Sequence, residues 1–247
     1  MRQIVIYFFI LSLSTFSCQQ KQSAEQIVNQ TIEYAGGEKF EQSKIAFSFR
    51  DKHYEVHRNE SEWKMRRTFQ DSSLLVEDDY SPKGFKRKIN GAEAEVADSM
   101  AFKYVESINS VIYFALLPYK LNDPAVIKEN LGKELVEGKP YYKIKVRFKE
   151  EGGGEDFQDE FIYWFDQKDY SLDYLAYSFQ VNGGGMRFRK AYNERFLNGI
   201  RFVDYINYKP LEGNVTLTSL AQLWQINELE ELSKIKLEDV AVSLKPS

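Results

Sequence analysis

Chemistry has few places to start in this chain, which holds 2 histidines and 1 cysteine. That excludes a cysteine-cluster zinc site and an intrachain disulfide framework. The histidines alternate with a carboxylate in His53, Glu55 and His57, so on a strand all three project from one face. His53 and Glu55 can share a metal ion, but His57 lies roughly 13 Å from His53 at strand rise. Tyr54 and Val56 take the opposite face, and a solvated polar face is the plainer expectation. No metal site and no cofactor are expected.

Carboxylates also crowd the run from Glu150 through Gly152-Gly153-Gly154 to Glu155 and Asp156, with Asp159 and Glu160 following. Hard cations take such oxygen ligands. The spacing of a calcium-binding EF-hand is absent, however, and no Lys-Ser/Thr follows the glycines as in a phosphate loop. A hairpin tip in water is the simpler reading. There is no Gly-x-Ser-x-Gly elbow for a serine nucleophile either. No catalytic residue is nominated.

A more specific arrangement comes from two Asn-Gly pairs, Asn182-Gly183 and Asn198-Gly199, which favour two-residue hairpins because both turn positions take positive φ. Threading Leu172 to Lys209 around them as a three-stranded meander sets Arg187 opposite Ser178 and Arg189 opposite Ala176. On the other side Asn193 meets Asp204 and Arg189 meets Tyr208. One face then carries Tyr174, Arg187, Arg189, Asn193, Arg195, Phe202, Asp204, Ile206 and Tyr208. The other, with Leu175, Tyr177, Phe179, Phe188, Val203 and Tyr205, reads as core. Arginines beside small side chains and aromatic rings suit an anion with an apolar tail. The candidate ligand contacts are therefore Arg187, Arg189, Tyr174, Asn193 and Tyr208, with the two arginines at the mouth of a hollow. The competing expectation is an outer face on which Asp204 bridges to Arg195.

The elements that must position these residues follow from periodicity. Ala24 to Tyr34 places Ile27, Val28, Thr31 and Tyr34 on one helical face before Gly36-Gly37 stops it. Strand alternation begins at Ile45, Phe47 and Phe49 and continues through Tyr54, Val56, Trp63, Met65 and Phe69. A longer helix runs from Asp98 or Ser99 to Leu117, ended by Pro118. Its Tyr104, Ile108 and Ile112, at helical spacing, are expected to line the hollow. Asp123-Pro124 reads as the start of another short helix before Gly132. Tyr142, Ile144, Val146 and Phe148 form a one-sided strand, and Phe161 to Phe165, apolar on both faces, an interior one. Ser219 to Asn227 reads as helix and Ile235 to Leu244 as a closing strand. The expected fold is mainly β (α+β): a single curved antiparallel sheet or half-barrel wrapped around an internal helix, with a short N-terminal helix. Residues 24–247 form one domain in this reading.

With 33 Lys+Arg against 37 Asp+Glu, the chain has no basic field with which to gather nucleic acid. Met1 to Ser17 carries Arg2 and an apolar run from Ile4 to Phe16, shorter than the roughly 20 residues that span a bilayer, and reads as an export signal. The stretch Leu13-Ser14-Thr15-Phe16-Ser17-Cys18 resembles a bacterial lipobox. That resemblance implies an acylated Cys18 holding the protein to a membrane, with residues 18–23 as its tether. A plain signal peptide that leaves Cys18 a free thiol is the alternative.

The order of lipobox, helix ending in Gly36-Gly37, Leu117-Pro118-Tyr119-Lys120-Leu121-Asn122-Asp123-Pro124, Glu151-Gly152-Gly153-Gly154 and Gly199-Ile200-Arg201-Phe202 resembles an uncharacterised lipoprotein family of Bacteroidota. The element order is also similar to that of periplasmic lipoprotein-localisation factors, in which a curved sheet wraps a helix and offers acyl chains an apolar cavity. These resemblances imply a non-catalytic cell-envelope lipoprotein, anchored to the outer membrane and facing the periplasm. It would bind a lipid, another amphiphile or an acylated protein. An envelope scaffold that binds a protein partner is the alternative, and an uncharacterised hydrolase the third choice.

Overall fold

The computed structural model describes residues 22–59, 62–152, 154, 157–180, 183–211 and 213–244. The export segment, Cys18, most of the tether and Asn182 lie outside the described residues. The first element, α1 (Ala24–Ala35), starts where its sequence says it should: Ser23 and Gln26 exchange side-chain and backbone hydrogen bonds in a capping box. Its Ile27, Val28, Thr31 and Ala35 are buried.

Six strands follow: β1 (Ser43–Phe49), β2 (Lys52–Arg58), β3 (Trp63–Asp71), β4 (Leu74–Ser81), β5 (Gly84–Ile89) and β6 (Ala92–Ala94). Then come α2 (Asp98–Ala115), β7 (Val126–Val136), β8 (Lys139–Phe148), β9 (Glu160–Asp166) and β10 (Leu172–Phe179). The chain finishes with β11 (Gly185–Leu197), β12 (Ile200–Pro210), α3 (Leu220–Gln225), β13 (Leu229–Ile235) and β14 (Glu238–Leu244). The fold is mainly β and antiparallel, but the expected single sheet divides into two of seven strands. One has the order β14-β1-β2-β3-β4-β5-β6, the other β13-β12-β11-β10-β9-β8-β7. The break has two causes. The α2 excursion ends the first meander, and the last two strands part company, β13 pairing with β12 and β14 with β1. Side chains stitch this seam: Asn198 Nδ2 donates to the Val242 carbonyl at 2.7 Å, and Asp204 accepts from the Leu237 amide at 3.0 Å.

The short helix expected from Asp123 does not form. Asp123 is extended (φ −60, ψ 145), and the chain passes into β7, whose Val126 pairs with Phe148. A favourable cap and a Pro at the first turn do not suffice where an eleven-residue strand can satisfy the same backbone along β8.

Helix α2 lies against both sheets. Ile108, Ile112 and Leu116 are buried with Ile45, Phe47, Tyr54, Val56 and Met65 of the first sheet, and with Ile200 and Phe202. Each such side chain contributes about 1.5–3 kcal/mol by leaving water. Near the N-terminal half of α2, the fully buried Asp78 accepts hydrogen bonds from both Arg67 and Arg87. Arg67 Nη1 also donates to Ser107 Oγ at 3.0 Å, and the Arg87 guanidinium lies 3.8 Å from the centre of the Tyr104 ring. The second sheet is buried on both faces. Ile144, Val146, Tyr163, Leu175 and Tyr205 pack with α1 residues on one side, while Tyr141, Trp164, Tyr174 and Phe188 are covered by the Leu217–Gln225 segment on the other.

Candidate functional site

A cavity of about 520 Å³ opens between α2 and the second sheet. From α2 it takes Asn109, Tyr113 and Phe114; from the sheet Phe148, Phe161, Tyr177, Val203 and Tyr205, together with Arg187, Arg189 and Asn207. This is the size and aromatic lining of a small-ligand site, typically about 300–1,000 Å³.

Two shifts of register bring the arginines into it. The first hairpin pairs Arg187 with Tyr177 and Arg189 with Leu175, one position away from the symmetric two-residue threading. A one-residue slip moves every side chain of a strand to the other face. The Asn198-Gly199 turn forms as its sequence dictates, with φ of 48 and 78, and Leu197 faces Ile200. Further along, the ladder slips between Tyr192 and Arg195, where Asn193 takes a φ of 53. This bulge leaves Arg189 facing Asn207 instead of Tyr208. Arg187 and Arg189 therefore share a face with Tyr177, Val203 and Tyr205, the set that the sequence had assigned to the core.

Arg189 is the unusual group. It is 8% exposed, and burial pushes its guanidinium below its ordinary value, although a guanidinium keeps its proton in any protein. It lies 4.1 Å from the centre of the Phe114 ring, and its Nη2 donates to the Tyr177 hydroxyl at 2.9 Å. Among the described residues no carboxylate forms an ion pair with it. Its Nε has no partner, and neither does Asn207 Oδ1 on the neighbouring strand. The nearby phenols do not neutralise it. Burial pushes Tyr205 up to about 12, and raises Tyr113 and Tyr163, whose hydroxyls share a 2.8 Å hydrogen bond. Arg187, only partly buried, stacks on Phe179 at 4.8 Å and donates to the Met186 carbonyl. Arg189 thus sits inside the cavity, not at its mouth.

The other expected contacts lie elsewhere. Tyr174 and Tyr208 belong to the opposite face, packed around Phe188 and Trp224, and the Tyr174 hydroxyl donates to Glu137. Asn193 sits at the bulge and donates to Asp204, which also pairs with Arg195 at 3.1 Å. Ile108 and Ile112 are sealed in the core against the first sheet, and Tyr104 stacks on Arg87, so none of the three lines the cavity. The helix presents its adjacent face instead. Asn109, Tyr113 and Asn207 escaped the sequence reading; the signal for the first two was their own helical spacing, one position on from Ile108 and Ile112.

His53 Nδ1 lies 3.3 Å from Ser48 Oγ and Glu55 pairs with Lys44, consistent with a surface face. Among the described residues no group of three His, Cys, Asp or Glu side chains is placed to hold a metal ion. Nor is any described helix long and apolar enough to cross a membrane.

The fold is similar to that of solved structures. A DUF1329 family protein from Desulfovibrio piger superposes with a TM-score of 0.51 at 10% identity, covering 90% of this chain and 92% of that one. A LolA superfamily protein from Nitrosomonas europaea gives a TM-score of 0.49 at 10% identity, covering 92% of this chain and 96% of that one. No curated protein sequence matches. Residues 3–237 match the model of a Family of unknown function (DUF6503), and the chain belongs to that family.

Proposed function

We propose that this member of a family of unknown function is a cell-envelope lipoprotein whose cavity binds an amphiphilic, lipid-like ligand without chemical conversion. The observation that carries the reading is a cavity walled by aromatic rings with a buried cation, Arg189, that has no ion-pair partner among the described residues. The ligand is either a free lipid or the acyl chain of an acylated protein. In the same reading residues 1–17 are a signal peptide and Cys18 carries the lipid anchor. Residues 18–23 tether one domain, 24–247, to the outer membrane on its periplasmic side; the lipobox-like stretch supports this.

An acyl chain gains about 0.8 kcal/mol per buried methylene, so even a partly buried tail reaches micromolar affinity after the costs of association. The test is made on full-length protein purified from its membrane in a non-ionic detergent. A fluorescent fatty acid should bind saturably, and mass spectrometry of the native preparation should find a stoichiometric lipid. Neither binding nor bound lipid would sink the reading.

A second reading, a scaffold for a protein partner, is favoured by the edge strand β7. It leaves Ile127, Leu131 and Leu135 exposed, with Ile127 and Leu135 on opposite faces because the ladder slips between Asn130 and Gly132, and its free backbone edge is open to strand pairing.

A further inference from the structure

We propose that the cavity takes its ligand head first, with an ionised carboxylate held by Arg189 and Asn207 and a single apolar tail running outward past Phe161 and Phe148. The inference rests on the ligand-binding reading above and adds the class and orientation of the ligand.

Arg189 and Asn207 are direct cross-strand neighbours on β11 and β12, both line the cavity, and each has a buried polar atom without a partner. Buried polar groups are as a rule hydrogen-bonded, and a buried charge is paired. Both side chains line one hollow, and the charge of Arg189 finds no counter-ion among the described residues, so an anion in the hollow would supply it. The guanidinium offers N–H donors from its terminal nitrogens. The Asn207 amide, turned by half a rotation, offers another from Nδ2, since its O and N ends are interchangeable in shape. Two donors side by side match the two oxygens of a carboxylate.

Charge selects among anions. The groups that bear directly on Arg189 are phenols, and burial keeps Tyr163 and Tyr205 protonated, so the requirement at Arg189 itself is one negative charge, with Arg187, Glu106 and Asp159 elsewhere on the lining. A phosphate monoester brings about −1.5 to −2 and leaves an excess buried. A phosphodiester carries substituents on both sides, whereas Arg189 is packed against the Phe114 and Tyr177 rings and 8% exposed. A carboxylate ends its chain, and fits.

The experiment compares palmitate, methyl palmitate and hexadecyl phosphate on full-length protein in one non-ionic detergent, with wild type, Arg189→Met, Arg189→Lys and Asn207→Leu. Palmitate should bind about tenfold or more tightly than its ester, a difference of one charge-assisted contact. Arg189→Met should bring palmitate down to the level of the ester and leave the ester unchanged, while Arg189→Lys and Asn207→Leu fall between. In carbon NMR, the carboxyl signal of bound labelled palmitate should stay fixed as pH passes through the ordinary carboxylic range. Equal binding of acid and ester, a bound carboxyl that titrates like the free acid, or preference for hexadecyl phosphate would overturn the inference while leaving the ligand-binding reading intact. Saturable binding of none of the three would instead overturn that reading.

Discussion

Arg189 of β11 and Phe114 of α2 meet across the cavity, guanidinium to ring centre, at 4.1 Å. The contact joins helix to sheet through a charge that burial disfavours. Such a contact is worth about 0.5–2 kcal/mol, whereas an unpaired ion in the interior costs several. Burial of this charge therefore costs more than the ring contact returns.

Arg189→Met should raise the stability of the ligand-free protein by about 1 kcal/mol while weakening acid binding. Urea unfolding of the two forms checks the sign. A loss of stability would show that the guanidinium is satisfied inside the protein itself.

The Asp78 cluster behaves in the opposite way. Replacing Asp78 by Ala leaves Arg67 and Arg87 facing each other in the interior without their common acceptor, and should cost about 3–5 kcal/mol. Glu93→Ala, which removes an exposed pair with Lys86, should change stability by less than about 0.5 kcal/mol. Denaturant midpoints measured side by side decide this, and equal effects would show that burial of the cluster is not what matters.

Asp79 gives a pH-dependent test. Burial alone would raise its carboxyl, but hydrogen bonds from Arg66 and Lys64 outweigh that and hold it below the ordinary 3.8. The unfolded chain then takes up the proton first as pH falls. Its contribution is thus fully present above 3.8 and lost as pH drops through the lower folded-state value. Asp79→Asn should cost about 0.5–1 kcal/mol at neutral pH, since the pair is part-exposed. The melting temperatures of the two proteins should converge on acidification, and a gap that persists in acid would rule out this carboxylate as its source.

Anchoring is tested at Cys18. With Ala in its place the protein should leave the membrane fraction and take up no labelled fatty acid. Retention in the membrane fraction would transfer the anchor to another part of the chain.

Much of the fold was readable because it rests on local pattern. The helix through Ile108 and Ile112, the buried strand Phe161 to Phe165 and the turn at Asn198-Gly199 each carry their own periodicity or backbone signal. The site was less readable because it depends on register. Nothing local in Asn193 announces that its positive φ will insert a bulge, and that single residue decides whether Arg189 meets Tyr208 or Asn207. The five residues between Phe179 and Gly185 likewise leave the first hairpin's pairing one step from the symmetric choice. Helix α2 posed a related problem. The sequence shows that it has apolar faces, but which one meets packed side chains and which a hollow is fixed by two sheets assembled from distant segments.

The pairing of β14 with β1 has a consequence in time. Ser43 lies opposite Leu244, so one neighbour of the first strand is made about two hundred residues after it. A contact so far along the chain slows folding, because the intervening loop must close before the pairing repays it. Until then β1 has β2 alone beside it and offers an open hydrogen-bonding edge to any passing strand. The first sheet thus stays unfinished until the strand that completes it, about two hundred residues on, has been made.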